Sequence, residues 1–252
     1  MTTKTPTPKT PKAKTPTAKT PKAKKPEVPT ATKTHIYFVL DRSGSMASIA
    51  NDVIGGFNTY LAQQQADGDD AVMTLVQFDS DDVHEVLADA APIKTIQPLS
   101  SAVFVPRGGT PLYDAMGRVI TEAIARETQL KGAEEPAESI VFVTFTDGEE
   151  NQSQEFNRKS VFNLVKGKTK DGWTFVFMGA NQDAYDSGTS MGVSMANSSN
   201  YIADSEGTSL AFQDLAMSMS RRREKVRTGV AFSAEEFFEA GKTADKDASS
   251  RA

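Results

Sequence analysis

From residue 35 onward, short apolar runs alternate with stretches in which apolar residues recur every three or four positions. His35–Leu40 (H-I-Y-F-V-L) runs into Asp41 without a polar interruption after the histidine, the pattern of a strand covered on both faces. Ile49, Val53, Phe57 and Leu61 then share one face of a helix, which Gly55-Gly56 interrupts at some cost in propensity. Ala71–Phe78 reads as a second strand. Val83–Leu87, reached through the short Asp79-Ser80-Asp81-Asp82 connection, reads as its antiparallel partner. Leu112, Ala115, Met116, Val119, Ile120, Ala123 and Ile124 line a helix with Pro111 at its first position. Ser139–Thr146 and Trp173–Met178 are further buried strands, separated by a helix over Phe156–Val165. A short strand at 200–203 and a closing helix over Glu206–Val226 complete the pattern. This alternation predicts an α/β fold, a doubly wound and mostly parallel sheet with one antiparallel edge strand. The polar stretch 241–252 is expected to fray. In such sheets ligands gather at the carboxyl ends of the strands.

Charge divides the chain differently. Residues 1–33 hold nine lysines and one acid, Glu27, a net of +8; the rest holds 19 basic and 32 acidic side chains, a net of −13. The cationic part is a repeat: Lys4-Thr5-Pro6, Lys9-Thr10-Pro11, Lys14-Thr15-Pro16 and Lys19-Thr20-Pro21, continued by Lys24-Lys25-Pro26. Proline blocks helix and the lysines repel one another, so 1–33 is expected to be an extended, disordered tail ahead of a domain at 34–240. It is similar to the tails of linker histones. Lysines without interleaved aromatics give only salt-sensitive, non-specific attraction to nucleic acid. The chain has no cysteine, which excludes disulfides and thiolate metal sites. With no apolar stretch behind the N-terminal charges and no run long enough to span a bilayer, neither a secretory signal nor a membrane partner is expected. The expected location is cytoplasmic, or the host cytoplasm or virion for a phage-encoded protein.

Candidate chemistry sits at the predicted strand ends. Asp41-Arg42-Ser43-Gly44-Ser45 follows the first strand and offers a carboxylate and two hydroxyls at alternate positions. Hard divalent cations take such oxygen donors, although Ser43 or Ser45 could simply cap the next helix. Asp147-Gly148 follows the strand ending at Thr146, and Gly108-Gly109-Thr110-Pro111 brings a hydroxyl to the start of a helix. Two carboxylates and three hydroxyls are thereby directed to one edge of the sheet.

These three segments, D-R-S-G-S at 41–45, G-G-T-P-L-Y-D-A at 108–115 and T-D-G-E-E-N at 146–151, resemble the metal-ion-dependent adhesion site (MIDAS) of von Willebrand factor A (vWA) and integrin I domains. The resemblance spans roughly 34–225 and is nearest to bacterial and bacteriophage members. It implies binding, not turnover. Asp41, Ser43, Ser45, Thr110 and Asp147 would hold the metal, with Mg²⁺ the expected ion and Mn²⁺ or Ca²⁺ alternatives. An Asp or Glu of a protein partner would fill its open position. Two carboxylates neutralise a dication only to zero, so an arriving acid is attracted when at least one resident acid stands back from the metal. The alternative function is nucleic-acid association through the tail, with the vWA body as scaffold.

Other chemistry is poorly supported. His35 and His84 are the only histidines, too few donors for a zinc hydrolase. No G-x-S-x-G elbow or Walker motif occurs, and Ser43 stands where a haloacid-dehalogenase phosphatase needs a second Asp. Asp79, Asp81 and Asp82 read as a turn, and Glu149, Glu150 and Asn151 as a solvated loop. Arg221-Arg222-Arg223 is expected to complement a helix C-terminus, and Met191, Met195, Met217 and Met219 to fill the core.

Overall fold

A computed structural model describes residues 1–2, 33–180, 184–238 and 241–251; the Lys/Thr/Pro repeats lie outside them. Six strands form one sheet in the order β3-β2-β1-β4-β5-β6: β1 (Lys33–Asp41), β2 (Ala71–Phe78), β3 (Glu85–Pro92), β4 (Glu138–Thr146), β5 (Thr174–Ala180) and β6 (Ser198–Tyr201). All neighbours are parallel except β2 and β3, so the fold is the expected one. The helices are α1 (Ala50–Ala66), α2 (Leu112–Gly132), α3 (Arg158–Lys170), α4 (Ala184–Ser190), α5 (Ser205–Thr228) and α6 (Thr243–Arg251). Pro111 precedes α2 instead of opening it. No helix among the described residues is long and apolar enough to cross a membrane.

The period-2 geometry of the strands sends alternate side chains into two cores. Ile36, Phe38 and Leu40 of β1 pack with Val53, Phe57 and Leu61 of α1 and with Leu215 and Met219 of α5. Tyr37 and Val39 point the other way, toward Leu112, Met116, Val119 and Ile120 of α2 and Val161 and Val165 of α3. The ring of Phe145 is stacked between Tyr201 and Phe212, with centroids 4.8 and 4.6 Å away. Gly56, a poor helix former, has a packing reason: a β-carbon there would lie 2.2 Å from the Phe212 ring, so its absence lets α5 close onto α1.

The C-terminal stretch, expected to fray, forms α6 over Thr243–Arg251, and two other expectations need correction. Phe237 and Phe238 are buried, Ala244 N donates to Asp214 Oδ2 at 2.9 Å, and α6 packs beside β6. Lys242 Nζ donates to Ser198 O and Asp245 Oδ1 accepts from Asn200 N; these side chains satisfy main-chain groups of an edge strand that would otherwise be open to pairing. The arginine triplet lies inside α5, where Arg222 and Arg223 are 4% and 0% exposed; it does not cap a helix end. Met191 and Met219 are core residues, but Met195 and Met217 are exposed.

His35 is a buried structural residue. The Glu138 carboxylate can only accept, so His35 Nδ1–H donates to its Oε2 (2.8 Å); Nε2 of the neutral ring then accepts the Thr74 hydroxyl (2.9 Å), whose oxygen also accepts the Ala90 N–H (2.9 Å). Burial lowers the imidazole below its usual 6.5 even though Glu138 opposes this. Burial alone would raise the Glu138 carboxyl, but bonds from His35 and Arg126 outweigh it and hold the group at about 2. Both folded values lie below the unfolded ones. The stability they contribute is therefore complete above pH 6.5 and falls with pH, first through His35 and then through Glu138 between 4.5 and about 2. Denaturant unfolding from about pH 7 to about pH 3 should show Glu138→Gln losing less stability than the parent across the lower part of that window; parallel curves would refute this coupling.

Candidate functional site

Strand order reverses between β1 and β4, which lie side by side in parallel, Leu40 opposite Phe145. A crevice outside the carboxyl ends of the strands is the expected result at such a switch point. Asp41 ends β1 and Asp147 follows β4, so both carboxylates stand at that crevice. Asp41 is fully buried. Its Oδ1 accepts the Ser43 N–H (2.6 Å) and its Oδ2 the Thr146 hydroxyl (2.5 Å). Ser43 Oγ lies 3.1 Å from Ser45 Oγ, and Ser45 Oγ donates to Asp147 Oδ1 at 2.6 Å. Ser43 holds the N-cap position of a 3-10 turn over Gly44–Ile49, yet its side chain makes no capping bond. The helix-capping explanation of the serine motif therefore does not account for its hydroxyl.

Thr110 joins the same cluster from the other side. A β-carbon on Gly148 would lie 3.2 Å from Thr110 Oγ1, 3.3 Å from Ser45 Oγ and 3.9 Å from Asp41 Oδ2. Glycine at 148 thus leaves a cradle with three oxygen donors around it, and Ser43 and Asp147 are linked to it through Ser45. All five sequence-predicted residues come together. Among the described residues no group of three or more His, Cys, Asp or Glu is arranged to hold a metal, as expected of a donor set made mainly of hydroxyls.

The electrostatics of the cradle are unbalanced. Burial pushes Asp41 up to about 6; the hydrogen bonds from Thr146 and Ser43 oppose this and the charge of Asp147 adds to it. Burial also raises Asp147, against the bond from Ser45. Every group that holds either carboxylate is neutral. Two buried carboxylates, each raised by desolvation and without a cationic partner, with hydroxyls between them, are the donor chemistry that a hard dication satisfies.

Several supporting residues escape a reading of the sequence. Thr146 orients Asp41, and also accepts Gly148 N at 3.1 Å. Asn151, expected in a solvated loop, accepts Thr110 N (2.9 Å) and donates its own N–H to Thr110 O (3.1 Å), which pins the threonine loop to the loop of Asp147. Glu150 accepts Tyr113 N at 2.9 Å and so satisfies an orphan donor in the first turn of α2. Asp114 is buried and accepts Gln154 N, Glu155 N and Phe156 N (2.6–2.9 Å). Only Asp114 left a signal, an acid in the first turn of a predicted helix; the others act on main-chain groups that no periodicity reveals. Glu149 is exposed on the rim.

A doubly wound sheet with an oxygen-rich crevice at its switch point defines a broad class of α/β binding folds. Within it, the chain belongs to the von Willebrand factor type A domain family, whose profile matches residues 35–216. Solved structures similar to it include proximal thread matrix protein 1 of the mussel byssus with a zinc-occupied MIDAS motif, at 17% identity and a TM-score of 0.51, covering 77% of this chain and 47% of that one. The pilus adhesin SpaC of Lactobacillus rhamnosus GG in its open conformation is similar at 13% identity and a TM-score of 0.59, covering 77% and 30%. The chain thus spans less than half of either protein, and the likeness is one of fold. No curated protein matches it.

Proposed function

We propose that this vWA domain is a metal-dependent protein-binding module whose cation, Mg²⁺ by preference, is held by Asp41, Ser43, Ser45, Thr110 and Asp147 and coordinates an Asp or Glu of a partner. The observation that carries this reading is the convergence of Thr110, Ser45 and Asp41 oxygens around Gly148. When bound, the cation supplies Lewis acidity toward a carboxylate. The chain's own residues do the rest. Buried Asp41 and Asp147 supply charge, the three hydroxyls supply neutral donors, and Asn151 and Thr146 fix their positions. Binding is favoured over turnover because both histidines are engaged elsewhere, His35 with Glu138 and Thr74 and His84 with Glu122. The zinc-occupied MIDAS of the mussel protein is in keeping with this reading.

Calorimetric titration of the full chain with Mg²⁺ and Mn²⁺ tests it. Thr110→Ala removes one donor without adding charge and should weaken the cation by about tenfold or more. With Mn²⁺ bound, an acidic peptide should lower the relaxation enhancement of solvent water by displacing a coordinated molecule. Equal affinity in Thr110→Ala would overturn the assignment. Nucleic-acid association through the tail rests on residues outside those described, and nothing in the folded body favours it.

A further inference from the structure

The turn between β2 and β3 holds a buried carboxylate that cation binding does not itself use. Asp79 is 0% exposed. Its Oδ1 accepts the N–H groups of Asp81 and Asp82 (2.7 and 2.9 Å), which closes the turn. Its Oδ2 faces two guanidinium groups at once: Arg42 approaches through Nε at 2.8 Å and Nη2 at 2.7 Å, and Arg107 through Nε at 3.0 Å. The arginines belong to different loops. Arg42 stands between Asp41 and Ser43, and Arg107 immediately precedes Gly108-Gly109-Thr110. Two main-chain bonds run alongside, Arg107 N to Arg42 O (2.9 Å) and Gly44 N to Gly108 O (3.1 Å), and Gly109 N donates to the Ser80 hydroxyl (2.9 Å). Arg42 is buried and reaches Glu85 at 2.5 Å, whereas Arg107 is 44% exposed.

We propose that Asp79 is the positioning residue of the cation site, a latch that sets the distance between the serine loop and the threonine loop through Arg42 and Arg107. This rests on the cation-binding reading above. Ser43, Ser45 and Thr110 have short side chains with one useful torsion each, so the spacing of their oxygens follows the spacing of the two backbones. A site that must be held to about 0.5 Å needs such a fixed link. The latch has a second effect. It commits two positive charges to Asp79, with Glu85 and Asp81 beside them, and so keeps them off Asp41 and Asp147. Freed guanidinium groups would compete with a cation for those carboxylates.

The test uses Mn²⁺ alone as the probe, titrated into the full chain, with the unfolding midpoint of each variant measured in chelator. Asp79→Asn retains an acceptor for the turn but loses the charge that holds the arginines. It should bind Mn²⁺ about tenfold or more weakly. Arg107→Met, at a half-exposed position, should cost about threefold while leaving the chelated midpoint near that of the parent. The double variant should be no weaker than Asp79→Asn, since both changes release the same link. A merely structural Asp79 would lower the chelated midpoint and leave affinity unchanged, which overturns the proposal. If Asp79→Asn does not fold, Arg107→Met decides: parental affinity refutes the latch and a threefold loss supports it. Loss of binding in Thr110→Ala with parental affinity in Asp79→Asn would refute the latch and keep the cation site. A parent chain that binds no Mn²⁺ would remove both.

Discussion

Asp41→Asn should make the chain more stable in chelator and, at the same time, insensitive to divalent cations. The opposite signs follow from one fact, that Asp41 is buried with only neutral partners. Desolvation of its charge is the leading cause of a carboxyl raised from 3.8 to about 6. At about 1.4 kcal/mol per unit, removing that charge is worth roughly 1–3 kcal/mol to the folded chain. The amide also fits the existing bonds. Its oxygen can accept Ser43 N in place of Oδ1, and its NH₂ can donate to Thr146 Oγ1. That hydroxyl then donates instead to Gly148 O, 3.1 Å away. In the parent, cation at about a hundred times its dissociation constant should add about 2.7 kcal/mol; in the variant this gain should vanish. Thermal unfolding in chelator, Mg²⁺ and Mn²⁺ reads both effects. A variant less stable than the parent in chelator would make the carboxylate structural, and a retained cation shift would exclude it as a ligand.

What could be read from the chain alone depended on whether a residue's role is set by local pattern. Asp41 and Asp147 were legible because a long apolar run fixes where a strand ends, and doubly wound sheets place ligands at that end. Ser43, Ser45 and Thr110 were legible through the resemblance of their segments to the MIDAS motif. Asn151 and Glu150 were not, since each bonds a backbone N–H roughly forty residues away and looks in sequence like any polar loop residue. Asp79 was read as a turn former, which it is; its hold on two arginines depends on how three loops meet. The C-terminal helix was hidden for a related reason. Lys242 and Asp245 look like tail residues until β6 presents unpaired main-chain groups for them to bond. Met195 and Met217 show the converse, since apolar character alone does not say which helical or loop face is covered.

Arg223 is the sharpest case of a charge whose role sequence conceals, and its loss should produce the largest drop in stability. The side chain is fully buried. Nη1 donates to Gln64 O (2.5 Å) and Gln64 Oε1 (3.2 Å), while Nη2 donates to Gly68 O (3.1 Å) and Asp70 Oδ1 (2.6 Å). One guanidinium thus ties the end of α1 and the loop entering β2 to α5. Arg223→Met keeps most of the volume but leaves two main-chain carbonyls, the Gln64 side-chain carbonyl and a carboxylate short of a donor. Breaking a buried pair from one side costs about 3–5 kcal/mol; because Arg227 still reaches Asp70 at 3.1 Å, a loss near the lower figure is expected. Asp70→Asn in the same background should recover part of it by removing the stranded charge. Urea unfolding at constant m-value measures both, and a loss below about 1 kcal/mol would contradict the assignment. Arg223 acts at the edge of the sheet where β2 begins, opposite the one that carries Asp41 and Asp147. The folded fraction of Arg223→Met should therefore bind Mn²⁺ as the parent does. Asp79→Asn, by contrast, is expected to lose affinity while remaining folded, so the two variants separate what holds the domain together from what holds its site in register.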